Sequence, residues 1–273
     1  MTHNLKRILI LAVCCAVITV MPAAANSLSS YLSTPSVSGT FNQTVAYGGN
    51  GDLFTDGNLQ FQFTGLTITP TCWDGIAQVS CATGSYNPVS AASLSIIGTS
   101  GINGDAGFDL TGQTSVSSYK ATDGDQINVI EDIDLNYTVS TISGAASISD
   151  AHLDVGGCVQ DLAIQSTCLT SSNGLPPNLS VNEFWAGTNQ TLNVTAPPPI
   201  LDAYVNFLPT TYSSLQASKD IALETGACAG CVVSFSDLKQ YYSEVPEPRT
   251  YAWILAVGLL GLAQLRRRLA VTA

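Results

Sequence analysis

The sequence predicts an all-β protein, a β-sandwich of the Ig-like or jelly-roll-like kind, and three observations carry that prediction. Leu59, Phe61 and Phe63 alternate with Gln60 and Gln62, and Ile133, Leu135, Tyr137 and Val139 alternate with Asp134, Asn136 and Thr138. This period of two belongs to strands with one buried face. Clusters of Gly, Asn, Asp and Ser, as at 48–51 and 101–107, punctuate the alternating runs, and such clusters mark turns. No long amphipathic helical pattern lies between residues 26 and 244, so short strands must bury one another.

Taken in chain order, Lys6 and Arg7 precede an apolar run from Ile8 to Val20 and the small residues Ala23, Ala24 and Ala25. That order is expected of a signal peptide over residues 1–25, cut by signal peptidase after Ala25, because its apolar core is shorter than the roughly 17–25 residues of a spanning helix. Leu11-Ala12-Val13-Cys14 loosely matches a lipoprotein signal, but Val13 is bulky for its position. Residues 27–50, rich in Ser, Thr, Asn and Gly, read as weakly ordered. Strands are expected at Leu59–Phe63, Ser93–Ile97, Ser115–Tyr119, Gln126–Ile130, Ile133–Val139, Ala151–Val155, Thr191–Thr195, Ala203–Leu208 and Cys231–Phe235. Ala196-Pro197-Pro198-Pro199 forces an extended crossover. Residues 26–244 are long enough for one ectodomain with a real core.

All twenty acidic residues lie between Asp52 and Glu247, and residues 26–248 hold only Lys120, Lys219 and Lys239 as strong bases, a formal charge of −17. Nucleic acid is thereby excluded as a partner, since binding it depends on basic side chains that displace counterions. Such a charge suits a soluble, self-repelling exterior.

Eight cysteines are present, and loss of Cys14 and Cys15 with the leader leaves six. Six permit fifteen connectivities. Their grouping as Cys72 with Cys81, Cys158 with Cys168, and Cys228 with Cys231 favours local bridges formed in an oxidising compartment. A bridge closing so short a loop adds about 2–3 kcal/mol through the unfolded state. Cys228-Ala229-Gly230-Cys231 has redox-motif spacing, but no βαβ pattern surrounds it.

Few residues invite catalysis. His152 is the only histidine of the mature chain, which leaves Ser-His-Asp and Cys-His chemistry with one base at most, and it reads as a structural or surface residue. Asp123, Asp125, Glu131, Asp132 and Asp134 form the densest acidic stretch. Alternation sends Asp132 and Asp134 to one solvated strand face, while Asp123 and Asp125 around Gly124 offer a weak calcium site without EF-hand spacing. Trp73, Trp185, Tyr241 and Tyr242 suit stacking on sugar rings, although core packing explains Trp73 at least as well. No cofactor pattern is present, and the expectation is a non-enzymatic protein.

The tail is tripartite. Pro246-Glu247-Pro248 precedes an apolar segment, Tyr251 to Leu265, that closes on Arg266, Arg267 and Arg268. At about 1.5 Å per residue the segment spans about 22 Å against a hydrocarbon core of about 30 Å, which makes it a marginal anchor with its arginines on the cytoplasmic side. Two prolines keep the motif extended beside the membrane, where a protease can take it.

In this order of parts, residues 245–273 resemble the PEP-CTERM sorting signal of exported bacterial proteins. Softer likeness to uncharacterised proteins with the same tail runs through residues 58–70 and 219–248 and brings no activity. The resemblance implies processing by an exosortase, a membrane cysteine transpeptidase, near the Pro-Glu-Pro element, with the inner membrane as a transient anchor. It also implies a place at the cell surface or outside the cell, in the company of extracellular polysaccharide and biofilm. Arg249 and the extra residues 269–273 depart from the pattern and leave the cut bond open. The expectation is a structural or adhesive component of the envelope or matrix, with a carbohydrate-binding module or a glycan-active enzyme as alternatives.

Overall fold

A period of two gives every strand one face for water and one for a partner, and hiding those inner faces takes two sheets laid against each other. The computed structural model describes residues 25–33, 36–38, 44–81, 89–99, 105–121, 123–142, 146–161, 168–169, 177–197, 201–226, 228, 230–246 and 259. Among them, a 3₁₀ turn at Leu28–Tyr31 and Leu259 are the helical residues, and every other regular element is a strand. The strands are β1 (Asn26–Ser27), β2 (Ser36–Ser38), β3 (Thr44–Gly48), β4 (Leu53–Asp56), β5 (Leu59–Trp73), β6 (Gln78–Val79), β7 (Ser95–Gly98) and β8 (Ala106–Ser117). They continue as β9 (Tyr119–Lys120), β10 (Gln126–Thr141), β11 (Ala146–Asp161), β12 (Asn178–Trp185), β13 (Thr191–Ala196), β14 (Asp202–Asn206), β15 (Ser214–Glu224) and β16 (Cys231–Pro246).

The smaller sheet has six strands in the order β1-β7-β8-β16-β11-β14. The larger has ten, ordered β13-β12-β15-β10-β5-β3-β2, with β4 and β6 paired to β5 and β9 paired to β10. All pairings are antiparallel. Two antiparallel sheets around one core are consistent with the expected β-sandwich. The sheets meet through aromatic rings: Phe61, Phe63 and Tyr137 of the larger sheet pack edge-on against Phe108 of the smaller at centroid distances of 5.4, 5.5 and 5.2 Å. Edge-to-face packing matches the positive ring edge to the negative ring face, worth about 0.5–1.5 kcal/mol per pair beyond burial.

The strands run longer than the apolar runs that mark them. Gln126–Ile130 and Ile133–Val139 are one strand, β10, and Cys231–Phe235 is only the first third of β16. Residues 27–50 are also better ordered than their composition implies wherever they are described. Leu28 and Tyr31 are buried, the Leu28 amide donates to the Leu94 carbonyl at 2.8 Å, and β3 joins the larger sheet through β5. Three apolar anchors, Leu28, Tyr31 and Leu32, outweigh the polar composition there.

Cys72–Cys81, Cys158–Cys168 and Cys228–Cys231 are all bridged, with Cα separations of 5.3, 5.3 and 5.6 Å. The first staples the β5–β6 end, the second holds the segment after β11, and the third sits in the β15–β16 connection. β16 is interior to its sheet, flanked by β8 and β11, and its ladder continues to Pro246 opposite Ala146. β8 passes so close to it that a Cβ at Gly107 would lie 1.8 Å from the Gln240 carbonyl oxygen. Only glycine lets the two backbones approach this far.

Residues 1–24 of the expected leader (1–25), Glu247, Pro248 and Arg266 to Arg268 lie outside the described residues, as does the 251–265 segment apart from Leu259. Among the described residues no helix is long and apolar enough to cross a membrane.

Candidate functional site

Strand parity sorts the chemistry onto two surfaces. The outward positions of β10, β15, β12 and β5 carry hydroxyls, amides and carboxylates: Asn128, Asp132, Asp134, Asn136 and Thr138 on β10, Gln216, Ser218 and Asp220 on β15, with Asn182 and the threonines of β5 beside them. Register places Asp134 opposite Asp220 and Asp220 opposite Asn182. Carboxylate oxygens of Asp132, Asp134 and Asp220 all lie within 4.8 Å of one another. Three like charges so close cannot all ionise freely. Burial, a hydrogen bond with Asp220 and the charges of Asp134 and Asp220 push Asp132 up to about 7. Burial and the charge of Asp220 raise Asp134 as well. Oxygen donors in this number suit a hard divalent cation by type.

Further along the same face a depression of about 420 Å³ is lined by Thr64, Asn136, Thr138, Phe184, Gln216 and Ser218. Phe184, half exposed, offers an aromatic wall beside amides and hydroxyls. That combination can stack on an apolar sugar face while hydrogen-bonding its hydroxyls. A second depression of about 600 Å³ opens on the smaller sheet where β11 and β16 bulge at Gly156, Gly157 and Ser236.

The inner surface holds an unexpected polar cluster. Lys219 on β15 and Glu183 on β12 are fully buried and paired, Nζ to Oε2, at 2.8 Å. Lys219 Nζ also donates to Oε1 of Gln240 at 2.9 Å, across the gap to β16 in the other sheet. Glu183 Oε1 accepts from the hydroxyls of Tyr137 and, at 3.3 Å, Tyr242. Those hydroxyls lie 2.8 Å apart, and Trp185 Nε1 donates to Tyr242 at 3.1 Å. Burial holds the Lys219 ammonium below the usual lysine range, against the raising influence of Glu183. Burial and the Glu183 charge push both tyrosines well above theirs.

The residues singled out from sequence fall differently. Asp123 and Asp125 form the turn before β10, where Asp123 Oδ1 accepts from the Asp125 amide at 3.2 Å and Gly124 has φ of 99°. The acidic group with three facing carboxylates is instead Asp132, Asp134 and Asp220. Among the aromatic candidates, Trp185, Tyr241 and Tyr242 are buried, and Trp73 is the exception at 39% exposed. Core packing is therefore the wrong account of Trp73. It ends β5 on the outward parity, beside the stapled tip that carries Ile76, 92% exposed. Phe184 and Tyr204, both exposed, went unread. His152, on β11, contacts Asp202 and packs against the rings of Tyr204 and Tyr241.

Lys219, Glu183 and Gln240 also went unread, although a signal was present. Each occupies the apolar phase of its strand: Leu215, Ala217, Lys219, Ile221; Leu179, Val181, Glu183, Trp185; Leu238, Gln240, Tyr242. A charge on the inward parity is the mark of a buried polar network.

Comparison with known proteins adds little. No family model matches the chain, and no curated protein matches it. Among solved structures it is similar to one from a study of carbohydrate-binding modules of the β-sandwich superfamily, at 9% identity and a TM-score of 0.15, over 78% of this chain and 98% of that one. A likeness this slight decides neither fold nor ligand.

Proposed function

We propose that the protein is an exported, non-enzymatic component of the cell surface or extracellular matrix, matured in an oxidising compartment and trimmed near its Pro-Glu-Pro motif by an exosortase. The observation that carries this reading is the closure of all three local disulfides. Such bridges form and persist outside a reducing cytosol. They leave no free thiol among the mature cysteines, and His152 is engaged by Asp202 and two tyrosines. The acidic exterior, the leader and the PEP-CTERM-like tail support the same assignment.

The test is the intact mass of the product recovered from producing cells and their medium. Expected are a start at Asn26, three bridges, and loss of the residues beyond the Pro-Glu-Pro region. A full-length, reduced product in the cytosol would overturn the reading.

A second reading, glycan binding, is favoured by the Phe184 depression with its surrounding Asn136, Thr138 and Gln216. Soluble matrix polysaccharide should quench or shift NMR signals of this face, and Phe184→Ala should weaken binding about tenfold, in line with one lost aromatic contact. Binding unaffected by that substitution would remove the face from consideration.

A further inference from the structure

We propose that Lys219 and Gln240 become joined by an isopeptide bond that welds the two sheets together. The two residues come from different sheets, β15 of the larger and β16 of the smaller. Their side chains meet in the core with Lys219 Nζ 2.9 Å from Gln240 Oε1. A hydrogen bond of that length holds the amine beside the amide carbon, and confinement replaces the collision that two free groups would need. Both residues are fully buried.

A primary amide is a poor electrophile and an ammonium is no nucleophile, so the reaction needs a neutral amine and a proton carrier. Burial favours the neutral amine. Glu183 supplies the carrier, its Oε2 2.8 Å from Nζ and its Oε1 fixed by Tyr137 and Tyr242. Nζ passes one proton to Oε2, which leaves a neutral amine beside a neutral acid. The Nζ lone pair adds to Cδ of Gln240 and the Cδ–Nε2 bond breaks. Nε2 departs as ammonia with the proton from Glu183, and the attacking nitrogen returns a proton to Glu183. One C–N bond replaces another, so neither oxidant nor cofactor is consumed, and escape of ammonia makes the step irreversible. Tyr137, Tyr242 and Trp185 are positioning residues that hold the carboxyl still.

The location gives the bond a purpose. β16 is the strand that leads into Pro246, so any pull on the C-terminal side loads it first. Hydrogen bonds to β8 and β11 can yield one at a time, whereas a covalent tie to β15 passes the load into the larger sheet.

The inference stands whether or not the tail is trimmed. Its test is the mass of the full chain as recovered from producing cells, after reduction and denaturation. The expected mass is lower than the sequence of that product requires by one ammonia, with trypsin failing to cut after Lys219 and a branched peptide joining Lys219 to Gln240. Gln240→Leu should abolish the deficit, and Glu183→Gln should slow its appearance at least about a hundredfold, the usual contribution of a positioned proton carrier. The wild-type measurement decides the matter even if a variant fails to fold. A wild-type mass equal to the sequence, with cleavage after Lys219, overturns the proposal. So does a deficit of one water mapped to Lys219 and Glu183.

Discussion

Lys219 and Asp220 are neighbours in the chain, yet they live in opposite worlds, and the contrast between the two faces of the larger sheet extends to whole groups of residues. Inward, Glu183 and Lys219 have lost all water and are held by each other, by Gln240 and by two tyrosines. Outward, Asp132, Asp134 and Asp220 crowd together half-buried and relieve their repulsion by keeping a proton. The same side-chain chemistry thus becomes rigid pairing on one face and a titrating cluster on the other. Strand parity, rather than residue type, decides which.

The sharpest way to break this comparison is to remove one carboxylate from each face. Glu183→Ala strands Lys219 without its partner, and removal of one member of a buried pair costs about 3–5 kcal/mol. Asp134→Ala, on the outer face, should change stability by less than about 0.5 kcal/mol or raise it. Urea unfolding of both variants measures the difference, and equal losses would mean that the two faces do not differ in this respect.

A smaller effect is expected where the two sheets' architecture depends on close backbones. Gly107→Ala puts a methyl 1.8 Å from the Gln240 carbonyl oxygen, and a rigid backbone partner must then move. The expected cost is about 1–3 kcal/mol, the range of overpacking, read as a fall in the urea midpoint. An unchanged midpoint would show that β8 and β16 shift freely.

The smallest effect is the pH response of the outer face. Asp132 is raised from 3.8 to about 7 in the folded protein. Between those values the folded state binds the proton that the unfolded chain has released, so stability falls as pH rises through that window and the loss is complete above it. Asp132→Asn should flatten this slope. After discounting for half-exposure and salt screening, the gain at pH 8 over wild type is about 1 kcal/mol. Thermal melts at pH 4 and pH 8 measure it.

How much was legible follows the same division. Strands whose inward positions are all apolar, as at Leu59 to Phe63, could be read directly. Reading failed where a polar residue took an inward place: Glu131 split β10 in two, Glu183 hid β12, Lys219 hid β15, and Gln240 lies in the unread part of β16. Local cysteine pairing was readable because short loops leave few geometries. The triad of Asp132, Asp134 and Asp220 was half readable, since Asp132 and Asp134 share a strand face, but Asp220 reaches them only through the pairing of β10 with β15. Inward parity marks Lys219, Glu183 and Gln240 one by one as buried, but their cluster draws on both sheets, and which of them meet is set by the sheet pairing and not by any local pattern.

The ladder of β16 holds through Pro246. A molecule held at Pro246 itself would therefore stand like a post set in its socket, with the strand direction fixing its tilt.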